Sequence, residues 1–236
     1  TGHYARIDTQ NGSVRLLKAV DPGKDQSYVL YTLGQRELSH LLFPVGGRTK
    51  AQIRRLAAER GLPVADKPDS QEICFLPEGD YRPFLAQRLA HSPGDIADAK
   101  GHVLGRHDGV AFYTIGQRHG LGLTSAERLY VTGIDTTDNR VTVGPESALY
   151  SSICYVNYTT FTSGQPPADS FEAEVKIRYK SAPSPALLEL KDGGVVVRFR
   201  TPQRAITPGQ AAVFYRGDEV LGGGIIARPD AIGVAA

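Results

Sequence analysis

Ala186-Leu187-Leu188-Glu189-Leu190-Lys191-Asp192-Gly193-Gly194-Val195-Val196-Val197-Arg198-Phe199-Arg200 sets two strand-length runs on either side of a glycine turn. Glycine supplies the positive φ that a tight hairpin needs, and β-branched Val195–Val197 favours extended backbone. The pattern repeats outward. Phe171–Lys180 precedes the pair, and Ala211–Tyr215 and Val220–Ala227 follow it around a second turn, Arg216-Gly217-Asp218-Glu219. Five or six short antiparallel strands in about 75 residues predict a small closed or nearly closed barrel, because closure leaves no strand edge exposed. Residues 151–170, with Pro166-Pro167, read as connecting strand and loop.

Upstream the texture changes to mixed α/β. Val14–Val20 is a short strand-like run closed by Asp21-Pro22-Gly23. Thr49-Lys50-Ala51-Gln52 is a capping box, in which the Thr49 hydroxyl accepts from the third amide and Gln52 reaches back. The helix it opens runs through Arg60, is expected to bury Ile53, Leu56 and Ala57, and stops at Gly61. Asp80 can cap a second short helix through about Leu89, with Phe84, Leu85 and Leu89 on one face. After Pro93-Gly94 come short strands and tight turns. Leu129–Ile134 and Arg140–Val143 form a hairpin around Asp135–Asn139. Tyr113–Leu123 carries three glycines in seven residues, yet lacks the spacing of a nucleotide loop, and reads equally as a constrained loop fixing Arg118 and His119 near a partner or as plain turn structure.

Asp69-Ser70-Gln71-Glu72-Ile73-Cys74-Phe75 delivers one of two cysteines on an irregular path bent by Pro63 and Pro68. Cysteine can carry sulfur as a persulfide or act as a strong nucleophile near neutral pH. The polar approach suits a partly exposed thiol, and the apolar neighbours Ile73 and Phe75 equally suit a buried one. Cys154, between Ile153 and Tyr155 in a strand-like run, reads as structural.

The 236 residues can bury a sizeable core, and 41% hydrophobic with 22% charged content is ordinary for a soluble protein. No apolar run reaches the roughly 18 residues that span a bilayer. Two cysteines 80 positions apart make neither a disulfide framework nor a metal half-site, which favours a reducing, cytosolic setting. The chain contains no Met, and Thr1-Gly2-His3-Tyr4 has no targeting logic, so it is expected to be the C-terminal portion of a longer protein. Net charge is +2, spread as 11 basic and 10 acidic groups over 1–80, 7 and 8 over 81–170, and 9 and 7 over 171–236. No segment has the basic excess of a nucleic-acid surface, so RNA binding has to come from local placement.

Taken together, Thr1–Arg6, Lys24-Asp25-Gln26-Ser27-Tyr28, Leu42-Phe43-Pro44-Val45-Gly46, Ser70–Phe75, Tyr113–Gly122 and Thr207–Ala211 resemble one family from Thr1 to about Ala227. It is the bacterial tRNA-specific 2-thiouridylases, tRNA-uridine 2-sulfurtransferases that thiolate the wobble uridine (U34). The resemblance implies an α/β plus β fold. Its parts are the C-terminal end of a PP-loop ATP-pyrophosphatase domain over 1–79, a small central β-rich domain over 80–147, and a C-terminal antiparallel β-barrel over 148–236. It further implies that ATP adenylates the uridine 2-oxygen, that a cysteine persulfide supplies sulfur, and that a second cysteine resolves the exchange.

Residue by residue, the resemblance places Cys74 as the persulfide carrier and Gly2 at a nucleotide contact. His3, Lys24, Asp25, Gln26, Arg178, Tyr179 and Gln210 match positions that contact tRNA. The Lys-Asp-Gln run offers donors, an acceptor and an amide fork for RNA, and Arg178-Tyr179, expected on a strand, pairs a guanidinium with a stacking ring. The phosphate loop and the partner cysteine of relatives lie before Thr1, so these residues alone are expected to be inactive. Implied cofactors are ATP with Mg and persulfide sulfur, with no structural metal. Implied partners are tRNA and an upstream sulfur-relay protein or cysteine desulfurase, in the cytoplasm and away from membranes. Two alternatives stay open: a non-catalytic RNA-binding module, and another ATP-pyrophosphatase ligase. Neither needs a thiol at Cys74.

Overall fold

The computed structural model describes residues 1–63, 65, 81–89 and 91–228. In chain order the elements are β1 (Ala5–Gln10), β2 (Ser13–Lys18), α1 (Gln35–Leu38), α2 (Lys50–Glu59) and α3 (Arg82–Ala86). Then come β3 (Gly94–Ala97), β4 (Val103–His107), β5 (Tyr130–Asp135), β6 (Arg140–Gly144) and β7 (Tyr150–Phe161). The chain continues through β8 (Ser170–Lys176), β9 (Ser184–Lys191), β10 (Gly194–Arg204), β11 (Ala211–Arg216) and β12 (Glu219–Ala227). They fall into two compact units, one holding β1, β2, α1, α2 and the β7–β12 strands, the other α3 and β3–β6.

In the first unit, β12-β11-β8-β9-β10-β7 follow one another and β7 pairs back to β12, closing a six-stranded antiparallel barrel. The expected hairpins at 191–194 and 216–219 are both present, with Gly193 at φ 91° and Gly217 at φ 61°. Alternation sorts β8: Phe171 and Val175 turn inward, and Glu172 outward. Residues 151–170 hold the expected strand and loop, but the strand, 150–161, is a full member of the barrel. Its closing partner lies some 65 positions on, beyond any local pattern. The seam depends on glycine: a Cβ on Gly222 would stand 2.1 Å from Thr160 O, and one on Gly224 2.4 Å from Asn157 O.

β1 and β2 form a hairpin around Asn11 and Gly12, both at positive φ (52° and 79°), the geometry of a type I′ turn. β2 then pairs with β12 at Leu16↔Val220 and Leu17↔Glu219, so this N-terminal hairpin extends the barrel's sheet. Leu16, Val213, Tyr215 and Val220 pack with Tyr28, Leu30, Tyr31, Leu38 and Phe43 in one core.

The Thr49 capping box forms as expected, with Gln52 N donating to Thr49 Oγ1 and Thr49 N to Gln52 Oε1. Gly61 follows at φ 66°. The helix buries none of its residues fully; Ile53, Leu56 and Ala57 are only half-covered, a stripe too narrow to seat it in the core. The second expected helix is shorter than read, ending at Ala86, and Leu89 is 46% exposed. Asp80, named as its cap, lies outside the described residues.

In the second unit, β4-β3-β6-β5 make a four-stranded sheet in which β3 and β6 are parallel and the other neighbours antiparallel. The expected 129–143 hairpin is its β5–β6 pair, and Asp135 Oδ1 accepts from the Thr137 and Asp138 amides to tighten the turn. Ile96, Leu121, Val131, Val141 and Val143 form the core. No helix among the described residues is long and apolar enough to cross a membrane.

Candidate nucleic-acid interface

A groove of about 980 Å³ opens on the first unit, walled by Arg6, Lys18, Lys176, Tyr179 and Lys180, with Asp25 at its side. The β1–β2 register sets Lys18 opposite Ala5 and Leu17 opposite Arg6, which brings both cations to one end of the hairpin. Arg6 Nε donates to Lys18 O at 2.7 Å, and its Nη2 pairs with Asp218 at 2.8 Å. Lys18 Nζ donates to Gly217 O at 2.7 Å and stands 4.6 Å from the Tyr215 ring centre. Contributions from β1, β2, β8 and the turn after it thus converge, although the sequence spreads its charge evenly.

Lys176 is half-buried. Its Nζ stands 5.6 Å from the centre of the Tyr28 ring and 5.7 Å from that of Tyr179. Burial pushes its pKa below the usual lysine range, with the nearby Asp25 carboxylate pulling the other way. Tyr28 is buried and Tyr179 44% exposed, so the aromatic pair runs from the core to the groove. Burial pushes the Tyr28 hydroxyl up to about 12, with the Tyr31 phenol adding to the rise and the Arg178 guanidinium opposing it.

The expected contact residues divide. Asp25 and Tyr179 share the groove wall. Arg178 and Tyr179 do not lie on a strand: β8 ends at Lys176, and Ser181 N donates to Arg178 O at 3.1 Å in a turn. That turn carries the chain over to β9, which begins at Ser184. Asp25 is engaged by its own chain, Oδ1 accepting from Ala19 N and Ser27 N and Oδ2 from Ser27 Oγ. Gln26 Oε1 accepts from Tyr4 N at 3.0 Å. Lys24 N donates to Asp21 O, and Gln210 O accepts from Ile226 N. His3 lies against Thr1, Nδ1 to Oγ1 at 2.7 Å. His3, Lys24, Gln26, Arg178 and Gln210 do not wall the groove. Cys74 lies outside the described residues.

Sequence reading missed Arg6, Lys18, Lys176 and Lys180. A signal existed for two of them: Lys176, Arg178 and Lys180 recur at every second position. Chemically the groove offers cations for phosphates and a ring for a base, and the described residues that line it include no thiol. Among the described residues no group of three or more His, Cys, Asp or Glu is placed to hold a metal ion. Gly2 is exposed, with nothing within 4 Å of where a Cβ would stand. That leaves room for a nucleotide, but one open glycine makes no phosphate cradle.

Comparison with known proteins settles the lineage. Residues 1–78 match the family described as tRNA methyl transferase HUP domain, 82–145 the tRNA methyl transferase PRC-barrel domain, and 151–226 the Aminomethyltransferase beta-barrel domain. The tRNA-specific 2-thiouridylase MnmA of Chloroflexus aurantiacus is 50% identical over 234 residues, 98% of this chain and 65% of the relative. That of Roseiflexus sp. (strain RS-1) is 48% identical over 249 residues, 97% of this chain and 67% of the relative. The chain belongs to the tRNA-specific 2-thiouridylase family. It spans about two thirds of the length of these 2-thiouridylases. The three matched segments agree with the expected fold class: a HUP-domain portion, a PRC-barrel middle domain and a C-terminal β-barrel.

Proposed function

We propose that the protein to which this chain belongs is a tRNA-uridine 2-sulfurtransferase that thiolates the wobble uridine, with the barrel groove as part of its tRNA surface. The observation that carries the RNA assignment is the convergence of Arg6, Lys18, Lys176 and Lys180 beside the exposed ring of Tyr179. Phosphates are neutralised by such cations, and an aromatic face accepts any base. His3, Lys24, Asp25, Gln26, Arg178, Tyr179 and Gln210 enter as tRNA contacts through the resemblance. Because Asp25 and Gln26 brace Ala19, Ser27 and Tyr4, their share is to hold the loop that presents Lys24. The domain division into 1–79, 80–147 and 148–236 belongs to the same proposal.

Cys74 is proposed as the persulfide carrier, loaded by an upstream sulfur-relay protein or cysteine desulfurase in the cytoplasm. ATP, with Mg, enters through the family; the described residues offer Gly2 as an open approach and no cradle. Cys154 has no part in the chemistry, since it is 1% exposed and burial pushes its thiol up to about 12.

The test is thiolation of unmodified tRNA by the full-length protein, given ATP and a cysteine desulfurase with cysteine as the persulfide source, read as 2-thiouridine by mass spectrometry. Cys74→Ser is expected to abolish product and Cys154→Ser to retain it. Product from Cys74→Ser at the parent level would overturn the assignment. The competing RNA-module reading predicts tRNA binding without product from the parent protein.

A further inference from the structure

A polar groove of about 480 Å³ opens on the second unit, lined from Arg118 to Leu129, and the function proposed above does not use it. Arg118, His119, Ser125, Glu127 and Arg128 line it, and all five are exposed. Neither guanidinium has a carboxylate, carbonyl or ring partner among the described residues. Elsewhere on the chain Arg6, Arg15, Arg198, Arg200 and Arg204 each pair with a carboxylate. Arg118 and Arg128 are thus left available, side by side in one depression.

The loop that carries Arg118 is held on both arms. Gly116 N donates to Val131 O at 2.8 Å and Val131 N to Gln117 O at 2.9 Å, which laces the first arm to β5. The Gln117 side chain then spans the turn, Oε1 accepting from Thr114 N at 3.1 Å and Nε2 donating to His119 O at 2.9 Å. Gly116 and Gly120 turn at positive φ (86° and 73°), a backbone region that a side chain resists. On the far arm Leu121 is buried in the core, with Ile115, Leu123 and Leu129 packed against it. Leu129 anchors the neighbouring Arg128 in the same way. A loop ordered beforehand loses little conformational freedom on binding, which gives the 113–123 glycine run a task that its spacing alone did not reveal.

We infer that this groove takes the sugar–phosphate backbone of an RNA strand, with a phosphate on Arg118 and Arg128 and a ribose 2′-hydroxyl donating to Glu127. Resting on the tRNA reading proposed above, the site adds to it a contact on the second unit. Its chemistry selects backbone over base. No Phe or Tyr lines it among the described residues, so the wide ring face that Tyr179 gives the barrel groove is missing. It also selects RNA over a bare anion, because Glu127 repels phosphate unless a hydroxyl donor arrives with it. An acidic protein surface would meet the arginines and be repelled by Glu127. Arginine forks pair with phosphate oxygens, and such contacts position a strand without reading its sequence.

The experiment measures binding of unmodified tRNA to the full-length protein by filter binding across a salt series. Arg118→Gln and Arg128→Gln should each weaken binding and flatten the log–log salt slope by about 0.7–0.9, and the double variant by about twice that. Arg118→Lys should retain the slope, because an ammonium still neutralises phosphate. Glu127→Ala should weaken binding of the tRNA but not of a DNA of the same sequence, which has no 2′-hydroxyl to donate. Both arginines are exposed, so urea midpoints of the variants should match the parent. An unchanged slope in the double variant would overturn the site, as would a Glu127→Ala that binds tRNA at least as tightly as the parent. Loss of desulfurase-driven thiolation with unchanged tRNA binding would assign the arginines to a protein partner and overturn it too. Lys176→Gln reads the barrel groove separately. A flattened slope there beside an unchanged one in the double variant overturns this site and leaves the proposed function standing; unchanged slopes in both strike both.

Discussion

Tyr28 and Tyr179 meet edge to face, their ring centres 6.0 Å apart and their planes at 62°. One ring is anchored, since the Tyr28 hydroxyl donates to Ala211 O at 2.7 Å, and the other stands in the groove. The first prediction follows from that difference. Tyr179→Ala should cost about 1–3 kcal/mol of RNA affinity, the range for losing one base–aromatic stack. Tyr179→Phe should retain most of it, because stacking uses the ring and not the hydroxyl. Fluorescence anisotropy with a labelled anticodon stem-loop reads both. Equal affinity for parent and Tyr179→Ala would remove the ring from the interface.

Lys176 allows a test of charge. If its ammonium meets a phosphate, Lys176→Gln should flatten the log–log salt dependence of RNA binding by about 0.7–0.9. Its pKa is lowered by burial, so the parent loses this cation at a pH below the usual lysine range. RNA affinity of the parent should therefore fall as pH rises toward 10, and fall less in the variant. A salt slope that does not change would assign Lys176 to the Tyr28–Tyr179 packing alone.

Much of the barrel was legible because its signals are local. The turns at 191–194 and 216–219 fix their own strand pairs, and the Thr49–Gln52 box closes within one helical turn. What stayed hidden depends on distant pairing. Leu16 meets Val220 across some 200 residues, and β7 closes on β12 through a register that no hairpin dictates. The Asn11-Gly12 hairpin carried a readable turn signal, yet nothing in it named β12 as the next neighbour. The groove was hidden for the same reason: Arg6, Lys18 and Lys176 become neighbours only after β2, β12, β11 and β8 are laid side by side.

Gly223 should tolerate no side chain. A Cβ there would stand 2.5 Å from Ala212 O and 2.8 Å from Tyr31 Cδ2, so both a strand neighbour and a core ring have to move. Overpacking of this kind costs about 1–3 kcal/mol, and a fixed carbonyl puts Gly223→Ala at the upper end. Urea denaturation should show the loss as a lower midpoint. A midpoint within error of the parent would mean that the β11–β12 pairing yields more readily than its contacts imply.

The last prediction concerns alkaline stability. Cys154 is buried in β7, and desolvation pushes its thiol from 9.0 up to about 12. Between those values the unfolded chain gives up a proton that the folded chain keeps, so the folded state binds more protons and loses stability as pH rises. The effect is absent below about pH 9 and grows by about 1.4 kcal/mol per pH unit, reaching about 2 kcal/mol at pH 10.5. Tyr28, raised to about 12 by burial, and Tyr215, raised further by the same cause, add to the decline only above about pH 10. In Cys154→Ala the drop in stability between pH 8 and pH 10.5 should be smaller by that ~2 kcal/mol, whatever the packing cost at neutral pH. Urea midpoints of both proteins at the two pH values, under reducing conditions, decide it; Cys74 is present in both and cancels. Equal drops would show that the Cys154 thiolate meets water in the folded state, and would reopen its exclusion from the sulfur chemistry.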